Sequence, residues 1–248
     1  MTSVTRRFFL AGTALGLVGL PAVSLAQATP KRGGTLRISV DQAASVIHPL
    51  RTRVNPEYLV TELLYSGLTA LAPDMAAEPD LAESWSADAT STNWVFKLRK
   101  GLTFHDGSPC TAADVVATFT AILDPKTASP ARTNVGPIQE VVAVDDATVK
   151  FVLKSPFADL PVALAYPCAR IAPKKILESD LDGLARVAVG TGPFKLVSYE
   201  PDRKIVVERN PAYWDPARPV VDKVEVLVYP DRTAEASAII SGDTDLMM

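Results

Sequence analysis

Histidine and cysteine, the side chains most often used in catalytic dyads and transition-metal sites, are scarce in this chain. Of these two types, its 248 residues include only His48, His105, Cys110 and Cys168. A histidine-based triad or metal centre would therefore depend on one of two imidazoles. The sequence also has no G-x-S-x-G, H-E-x-x-H, C-x-x-C, G-x-G-x-x-G or P-loop motif. We therefore expect no catalytic residue, no bound metal and no cofactor.

The sequence lacks an uninterrupted apolar run. Its most apolar segment, residues 8–25, is broken by three glycines and Pro21, whereas a spanning helix needs roughly 20 predominantly apolar residues. A basic start precedes this segment, and Ala26-Gln27-Ala28, an end of the small-x-small kind, follows it. Residues 1–28 therefore predict a cleaved export signal, with a retained N-terminal anchor as the alternative.

The start of that signal resembles a twin-arginine signal, whose cargo crosses the bacterial inner membrane already folded. Thr5, Arg6, Arg7, Phe9 and Leu10 match the motif, with Arg6 and Arg7 as the recognition pair. The Tat export machinery is therefore an expected partner. No cysteine lies near the predicted cut to carry a lipid, so a soluble periplasmic product is expected rather than a lipid-anchored one.

An excess of positive charge is also absent. The chain carries 25 Lys and Arg against 28 Asp and Glu, a net charge of −3. Removal of the predicted signal, which holds two arginines and no acid, would make the mature chain more negative still. Nucleic-acid-binding surfaces rely on clustered Lys and Arg that neutralise phosphates. We therefore expect no nucleic-acid partner.

The two cysteines allow two interpretations. In an oxidising compartment, Cys110 and Cys168 could form one disulfide, which requires their Cα atoms to lie within about 7 Å of each other. The favoured alternative is that both are small, buried hydrophobic side chains.

The first part of the mature chain predicts a strand, a long loop and a helix. Residues 34–40 ("GTLRISV") alternate apolar and polar side chains, as a half-buried strand does. The 16-residue segment "DQAASVIHPLRTRVNP" leads into a helix that begins at Asn55-Pro56 and is expected to stop at Gly67. Loops of this length are uncommon in compact domains and are often functional. We therefore expect the loop to line a site.

Strand patterns recur through the middle and the end of the chain. Trp94, Phe96 and Leu98 alternate with polar residues, and hairpins are predicted around Asp145-Asp146-Ala147 and Pro201-Asp202. The segment "DKVEVLVYP" predicts another strand, whereas the acids and small residues of "AEPDLAESWSADATS" predict a surface connection.

Two helices have clear end signals. Thr111 and Asp114 form a variant of the capping box at the start of a helix over residues 112–123. Asp231 is the predicted cap of a closing helix, and Gly242 is its predicted stop. Helices and strands alternate without regular βαβ repetition, so the fold class is α/β in a mixed α+β arrangement.

Two carboxylate motifs raise chemical alternatives. His105-Asp106 could supply an oriented general base, but sequence neighbours rarely reach the required geometry, and Asp-Gly-Ser-Pro is a strong turn signal. A turn is therefore favoured. Asp243 and Asp245 could bind a cation, but two carboxylates fall short of the roughly six to eight oxygens that calcium takes, so a solvated turn is favoured.

Core packing is favoured over ligand stacking for the three tryptophans, Trp85, Trp94 and Trp214.

One long segment identifies the family that this chain resembles. Residues 85–119, "WSADATSTNWVFKLRKGLTFHDGSPCTAADVVATF", closely resemble the signature of the extracellular solute-binding proteins of family 5. This is the dipeptide, oligopeptide and nickel-binding group of ABC importers. Further segments agree with the family in the same order: "GGTLRIS", "LLYSGLTAL", "GTGPFKLVSYEPDRKIVVERNPAYWD" and "DKVEVLVYPDRTAEASAIISGDTDL". The resemblance covers nearly all of the mature chain.

The resemblance implies a type II periplasmic-binding-protein-like fold, a clamshell whose two lobes close on a ligand. Family members are usually about twice as long. Residues 29–248 are therefore expected to be the N-terminal lobe of a solute-binding domain that is truncated relative to the family. A missing second lobe would leave apolar surface exposed, which predicts a tendency to aggregate.

The implied function is that of a periplasmic substrate-binding component that delivers a peptide or a related small solute to the permease subunits of an ABC importer. On the family pattern and the length of the loop, ligand contacts are expected after the first strand, at Ala44, Ser45, Val46, Ile47 and His48. His48-Pro49 stands where the family commonly has aspartate-proline. The alternative for these residues is an ordinary surface loop.

Two other functions remain open for the whole chain. One is a non-transporting remnant or an assembly partner. The other, less favoured, is a secreted hydrolase that uses His105 and Asp106.

Overall fold

Two β-sheets, each with a hydrophobic core beside it, organise the computed structural model, which describes residues 32–248. The predicted export signal, with Arg6 and Arg7, lies outside the described residues. Within the described part, no helix combines the length and the apolar character needed to cross a membrane.

The elements follow one another as mixed strands and short helices. In chain order the strands are β1 (Thr35–Val40), β2 (Thr69–Leu71), β3 (Ala77–Pro79), β4 (Ala82–Ala87), β5 (Asn93–Leu98), β6 (Ile138–Asp145), β7 (Thr148–Leu153), β8 (Phe194–Glu200), β9 (Lys204–Arg209), β10 (Lys223–Val228) and β11 (Leu246–Met247). The α-helices are α1 (Asn55–Leu64), α2 (Ala112–Leu123), α3 (Leu160–Ala163), α4 (Lys174–Ser179), α5 (Leu184–Val187) and α6 (Arg232–Ser241). Short 3-10 helices lie at Pro125–Thr127, Pro130–Thr133 and Leu181–Gly183.

The first sheet contains both ends of the described chain. Its strand order is β11-β1-β10-β9-β8, with β1 parallel to β10 and β11 and the other neighbours antiparallel. Ile38 of β1 lies opposite Val226 of β10, and both are buried in a core that also contains Val60 and Leu64 of α1. The strand predicted for residues 34–40 is therefore confirmed as β1.

The second sheet is antiparallel, with the order β4-β5-β7-β6, and α2 packs against it. Its core centres on an aromatic row in which the ring of Phe151 lies 5.3 Å from that of Phe96 and 5.0 Å from that of Phe119. Trp94 stacks on Phe96 with 6.3 Å between ring centres and is largely buried. The structure thus confirms the core position predicted for Trp94.

The prediction of a surface connection over residues 77–91 is wrong in part, because this segment contains β3 and β4. Among residues 32–248, β4 is an edge strand whose one partner is β5. Trp85 lies opposite Phe96, and the register shifts between Ala82 and Ser84. Four of its six residues are exposed. An edge strand needs few apolar side chains, so its composition resembles that of a connection.

Helix ends agree with the sequence signals except in α1. Helix α6 is capped by Asp231, whose carboxylate accepts the N–H of Ala234 at 2.8 Å, and it stops at Gly242 in the left-handed conformation. Helix α1 was expected to continue to Gly67 but ends at Leu64. The Leu64 carbonyl accepts the N–H of Gly192 at 3.0 Å, so a distant segment packs against the helix end.

Cys110 and Cys168 are both buried and unbridged, which confirms the favoured interpretation. The Cys168 thiol donates to the Thr52 carbonyl at 2.9 Å, and burial raises the pKa of both thiols. Neither side chain is therefore a reactive thiolate at neutral pH.

Candidate functional site

The carboxyl ends of the parallel strands meet at one edge of the first sheet. Strands β1, β10 and β11 all point the same way, and the chain leaves β1 into the long loop at this edge. Helix α6 also begins here, after a connection of three residues from β10. In open sheets with parallel strands, ligands bind outside the carboxyl ends of the strands. We call this region, residues 41–57 together with 229–232, the carboxyl-edge surface.

Two cavities lie in the carboxyl-edge surface, and Val54 lines both. The smaller, of about 270 Å³, is lined by Val40, Asp41, Gln42, Val54, Asn55, Pro56, Arg232 and Met248. The larger, of about 450 Å³, is lined by Val46, His48, Arg51, Arg53, Val54, Glu57, Asp182 and Ala185. Small-molecule sites are clefts of about 300 to 1,000 Å³ that bury most of the ligand. The larger cavity falls within this range, and the smaller lies just below it.

The five predicted contact residues divide into a buried and an exposed group. Ala44 and Ile47 are each 1% exposed and belong to the core beside the first sheet. Ser45 and Val46 are exposed, and Val46 lines the larger cavity. Of the predicted set, these two have the accessibility that a ligand contact requires, and their role stays a prediction.

His48 lines the larger cavity, but both of its ring nitrogens bind backbone groups. Nδ1 accepts the N–H of Leu50 at 3.1 Å, so the proton resides on Nε2, which lies 3.0 Å from the Leu181 carbonyl oxygen and donates to it. The ring is 1% exposed, and burial lowers the pKa of His48 to about 4. The neutral imidazole thus fixes the loop to the segment before α5.

Three arginines that no sequence motif marks define the polar character of the carboxyl-edge surface. Arg51 donates from Nε to the Thr127 carbonyl at 2.9 Å and pairs through Nη1 with Asp182, whose pKa this contact lowers. Arg232 at the start of α6 pairs with Asp41 at 2.8 Å. The meeting of α6 with the loop depends on strand pairing over nearly 200 residues, which no local pattern reveals.

Arg53 is the arginine of this surface whose guanidinium has no acidic partner among the described residues. Its Nη2 donates to the Ala128 carbonyl at 3.1 Å, and its backbone N–H donates to the Glu57 carboxylate at 2.8 Å. The side chain is exposed beside the first turn of α1. A ligand carboxylate could therefore pair with it without displacing an existing ion pair.

His105 and Asp106 do not form a catalytic pair. The Nδ1 atom of His105 accepts the Gly190 N–H at 3.3 Å, and its Nε2 donates to the Gly192 carbonyl at 3.2 Å. Asp106 accepts the N–H and the hydroxyl of Ser108 at 2.9 and 2.6 Å, which closes the turn before α2. The turn interpretation is confirmed, and each ring nitrogen of His105 has a backbone partner in place of a carboxylate.

The other sequence motifs are also structural. Asp245 pairs with Arg37, with contacts between 2.8 and 3.2 Å, and the described residues contain no cluster of acids, histidines and cysteines suited to a metal. Trp85 packs near Phe96, and the Arg99 guanidinium lies 3.8 Å from the centre of the Trp214 ring.

Comparison with known proteins gives a consistent assignment. Residues 76–248 match the profile described as bacterial extracellular solute-binding proteins, family 5, middle. The chain is 27% identical over 270 residues to the periplasmic oligopeptide-binding protein OppA of Escherichia coli, covering 99% of this chain and 50% of OppA. It is also 27% identical over 206 residues to the glutathione-binding protein GsiB of Escherichia coli, covering 83% of this chain and 40% of GsiB. The chain thus spans about half the length of the curated relatives it matches.

A solved structure agrees in fold. The periplasmic binding protein AgaA of A. tumefaciens R10, in complex with agropinic acid, superposes with a TM-score of 0.82 at 30% identity, covering 86% of this chain and 43% of AgaA. The mixed sheets described above are therefore part of a type II periplasmic-binding-protein fold. Together, the matched profile and the shared fold show that this chain belongs to family 5 of the bacterial extracellular solute-binding proteins.

Proposed function

We propose that this chain is the N-terminal lobe of the periplasmic solute-binding component of an ABC importer, which delivers a peptide or a related small solute to the permease subunits. The observation that carries the proposal is the carboxyl-edge surface, where two open cavities flank Val54 at the carboxyl ends of the parallel strands. Such a surface needs recognition groups and no nucleophile. Two relatives are named as an oligopeptide-binding and a glutathione-binding protein, and these names support a peptide or a related small solute as the ligand.

The ligand contacts that we propose combine the exposed part of the predicted loop with the charged groups beside it. Ser45 and Val46 remain from the predicted set, and Arg53, Asn55 and Arg232 extend it. Peptides and glutathione carry carboxylates, and arginine binds carboxylates with two parallel hydrogen bonds. Arg53, which has no acidic partner among the described residues, is the proposed carboxylate contact.

One lobe supplies one face of a site that buries most of a ligand. If a complete clamshell bound its ligand at about 1 μM and one face kept half of that free energy, the remaining affinity would be roughly millimolar. Weak binding is therefore the expected result for this chain by itself.

Isothermal titration with glutathione and a mixture of short peptides tests the proposal. Millimolar binding that Arg53→Ala weakens at least tenfold would support it. Arg203→Ala is a matched control, because Arg203 is an exposed arginine in the β8–β9 turn whose side chain is 77% accessible and pairs with Glu200. Binding that both variants weaken equally, or that neither weakens, would contradict the proposed site.

Export through the Tat machinery and residence in the periplasm are part of the same proposal. They rest on the sequence of residues 1–28 and on the location given in the name of the OppA relative. A secreted hydrolase has no support, since His105 and Asp106 are bound to different partners.

A further inference from the structure

The larger cavity of the carboxyl-edge surface has an apolar wall. Val46 and Val54 are 37% and 38% exposed, and both line this cavity together with the half-buried Ala185. Single exposed valines are common on protein surfaces, but these side chains come from separate segments and meet in one cavity. Ligand sites combine a mostly apolar lining with a few polar groups that fix orientation. We therefore expect this wall to contact an apolar part of the solute.

Both acids of the same lining already have donors. Asp182 pairs with Arg51, and the Glu57 carboxylate accepts the N–H of Arg53 at 2.8 Å. Glu57 is 7% exposed and lies in the first turn of α1, where the helix dipole favours a negative charge. The ammonium group of a ligand would have to compete with these donors. The acids therefore do not favour this cavity as the place for the amino end of a peptide.

The guanidinium of Arg53 is the charged group of this lining that has no acidic partner within residues 32–248. A guanidinium carries five N–H donors, and a carboxylate can accept two of them in parallel. His48 adds no charge, because its ring is neutral and both of its nitrogens bind backbone groups. The cavity therefore receives a carboxylate more readily than any other charged group.

The charges of the lining also limit what can accompany that carboxylate. Two arginines, Arg51 and Arg53, stand against two acids, Glu57 and Asp182, so the formal charges balance. A second carboxylate on the ligand would face these acids without a free cation to pair with. In a peptide, one residue offers a single carboxylate on the same carbon as an apolar side chain, and that residue is the C-terminal one.

We propose that the larger cavity is the subsite for the C-terminal residue of a peptide, and that this residue has an apolar side chain such as that of leucine. Its carboxylate accepts hydrogen bonds from Arg53, and its side chain packs against Val46, Val54 and Ala185. This assignment rests on the proposed function, because it places one end of the solute within the same surface. With about 450 Å³, the cavity is in the lower half of the size range of small-molecule sites, which suits one end of a peptide.

Saturation-transfer difference NMR of the purified full chain with three tripeptides tests the subsite at millimolar affinity. Gly-Gly-Leu should bind about tenfold more tightly than Gly-Gly-Asn, whose last side chain is similar in size but polar. The leucine methyl protons should receive the strongest saturation. Gly-Gly-Leu-amide lacks the carboxylate and should also bind about tenfold more weakly than Gly-Gly-Leu.

The results separate this proposal from the proposed function. Equal affinity for Gly-Gly-Leu and Gly-Gly-Asn, or for Gly-Gly-Leu and its amide, would overturn the C-terminal subsite while the chain still binds peptides. Absence of binding by all three tripeptides would contradict both proposals.

Two variants locate the contacts. The double variant Val46→Thr, Val54→Thr keeps the shape of both side chains but adds hydroxyls, and should lower the affinity for Gly-Gly-Leu to that for Gly-Gly-Asn. Threonine is favoured at an N-cap, the position that Val54 holds in α1, so the fold should be retained. Arg53→Gln removes the guanidinium and should abolish the advantage of Gly-Gly-Leu over its amide.

Val144→Thr is the matched control, because it makes the same change at a valine that is 60% exposed in β6 and lines neither cavity. Its affinities for the three tripeptides should equal those of the unchanged chain. Identical affinities in the double valine variant and in Val144→Thr would place the leucine side chain elsewhere and overturn the proposal.

Discussion

The Nε2 atom of His48 donates a hydrogen bond to the carbonyl oxygen of Leu181 at 3.0 Å and joins two segments that are 133 residues apart. His105 makes the same kind of connection, from the turn before α2 to the backbone of residues 190–192. Both histidines of the chain therefore serve as neutral connectors between distant backbone segments. In each ring Nδ1 accepts a backbone N–H. Protonation would put a hydrogen on Nδ1, facing that N–H, and would break the hydrogen bond, so each connection depends on the neutral ring.

Stability should therefore fall with acid over a defined range. His48 takes up a proton near pH 6.5 when unfolded but only near pH 4 when folded. The unfolded chain therefore holds more protons between these values, and the free energy of unfolding decreases as pH falls through this range. The loss from His48 approaches about 3 kcal/mol, at about 1.4 kcal/mol per pKa unit. Burial also lowers the pKa of His105, which adds a contribution of the same sign.

Urea unfolding between neutral pH and about pH 4.5 measures this loss. His48→Gln should be less stable at neutral pH but should show a shallower pH dependence than the unchanged chain. The same dependence in both proteins would show that His48 is not the group responsible.

Alanine at Gly192 should be strongly destabilising. A Cβ at this position would lie 2.4 Å from the backbone carbon of Leu64 and 2.6 Å from the backbone nitrogen of Tyr65. Neither atom can move without disturbing the end of α1, so the expected loss is about 3 kcal/mol or more. In Gly183→Ala, by contrast, the nearest contacts are at 3.0 to 3.4 Å with the Asp180 side chain, so the substitution disturbs a side-chain cap and its pairing with Arg186 and leaves the backbone of other elements in place. Thermal unfolding of both variants checks the difference, and equal losses would contradict it.

The aromatic row of the second sheet should be costly to interrupt. Phe151 is fully buried between the rings of Phe96 and Phe119, so Phe151→Ala should cost about 3 to 5 kcal/mol. Val144, in the neighbouring strand β6, is 60% exposed, and Val144→Ala should change stability by no more than about 0.5 kcal/mol. Denaturant unfolding of the two variants measures these values. A small loss for Phe151→Ala would mean that the row is not a central part of the core.

Export should depend on the arginine pair of the predicted signal. Replacing Arg6 and Arg7 with lysines keeps the charge but removes the paired guanidinium groups, and should prevent transfer to the periplasm by the Tat route. Arg32→Lys, beyond the predicted cut, is the control and should be exported normally. Cell fractionation followed by immunoblotting measures the result. Normal export of the double variant would contradict a Tat signal.

Self-association should decrease when the apolar surface near β11 is made polar. Ile240 is 86% exposed and Leu246 is 50% exposed, next to Met247 at the edge of the first sheet. Exposed apolar groups beside a sheet edge favour association. Ile240→Lys should therefore lower the aggregated fraction in size-exclusion chromatography, whereas a substitution at the already polar Ser237 should leave it unchanged. An unaltered aggregated fraction in Ile240→Lys would exclude this surface as the cause.

The sequence predicted those helix ends that are determined by residues within the same turn. Asp231 and Gly242 bound α6, and Thr111 and Asp114 form the capping box at the start of α2, because a helix cap acts within one turn of its helix. The end of α1 was missed because the close approach of Gly192 determines it, and that approach depends on tertiary packing.

The candidate site was predicted less well than the fold. The loop that was predicted to line a site lies at the strand ends, and its role there stays a prediction. Of its predicted contact residues, Ala44 and Ile47 point into the core, as apolar side chains generally do. Arg232 could not be assigned to the site, because its position beside Asp41 results from the pairing of β1 with β10. A residue pattern read along the chain does not reveal such long-range pairs.

The parallel pairing of β1 with β10 also determines when the chain can fold during synthesis. Thr35 leaves the ribosome early, but its partner Lys223 is 188 residues away, whereas β5, β6 and β7 pair within 60 residues of one another. The aromatic core of the second sheet can therefore form while translation continues, since it needs only short loops to close. The first strand made is among the last to be paired, so the carboxyl-edge surface forms only after almost all of the described chain has been translated.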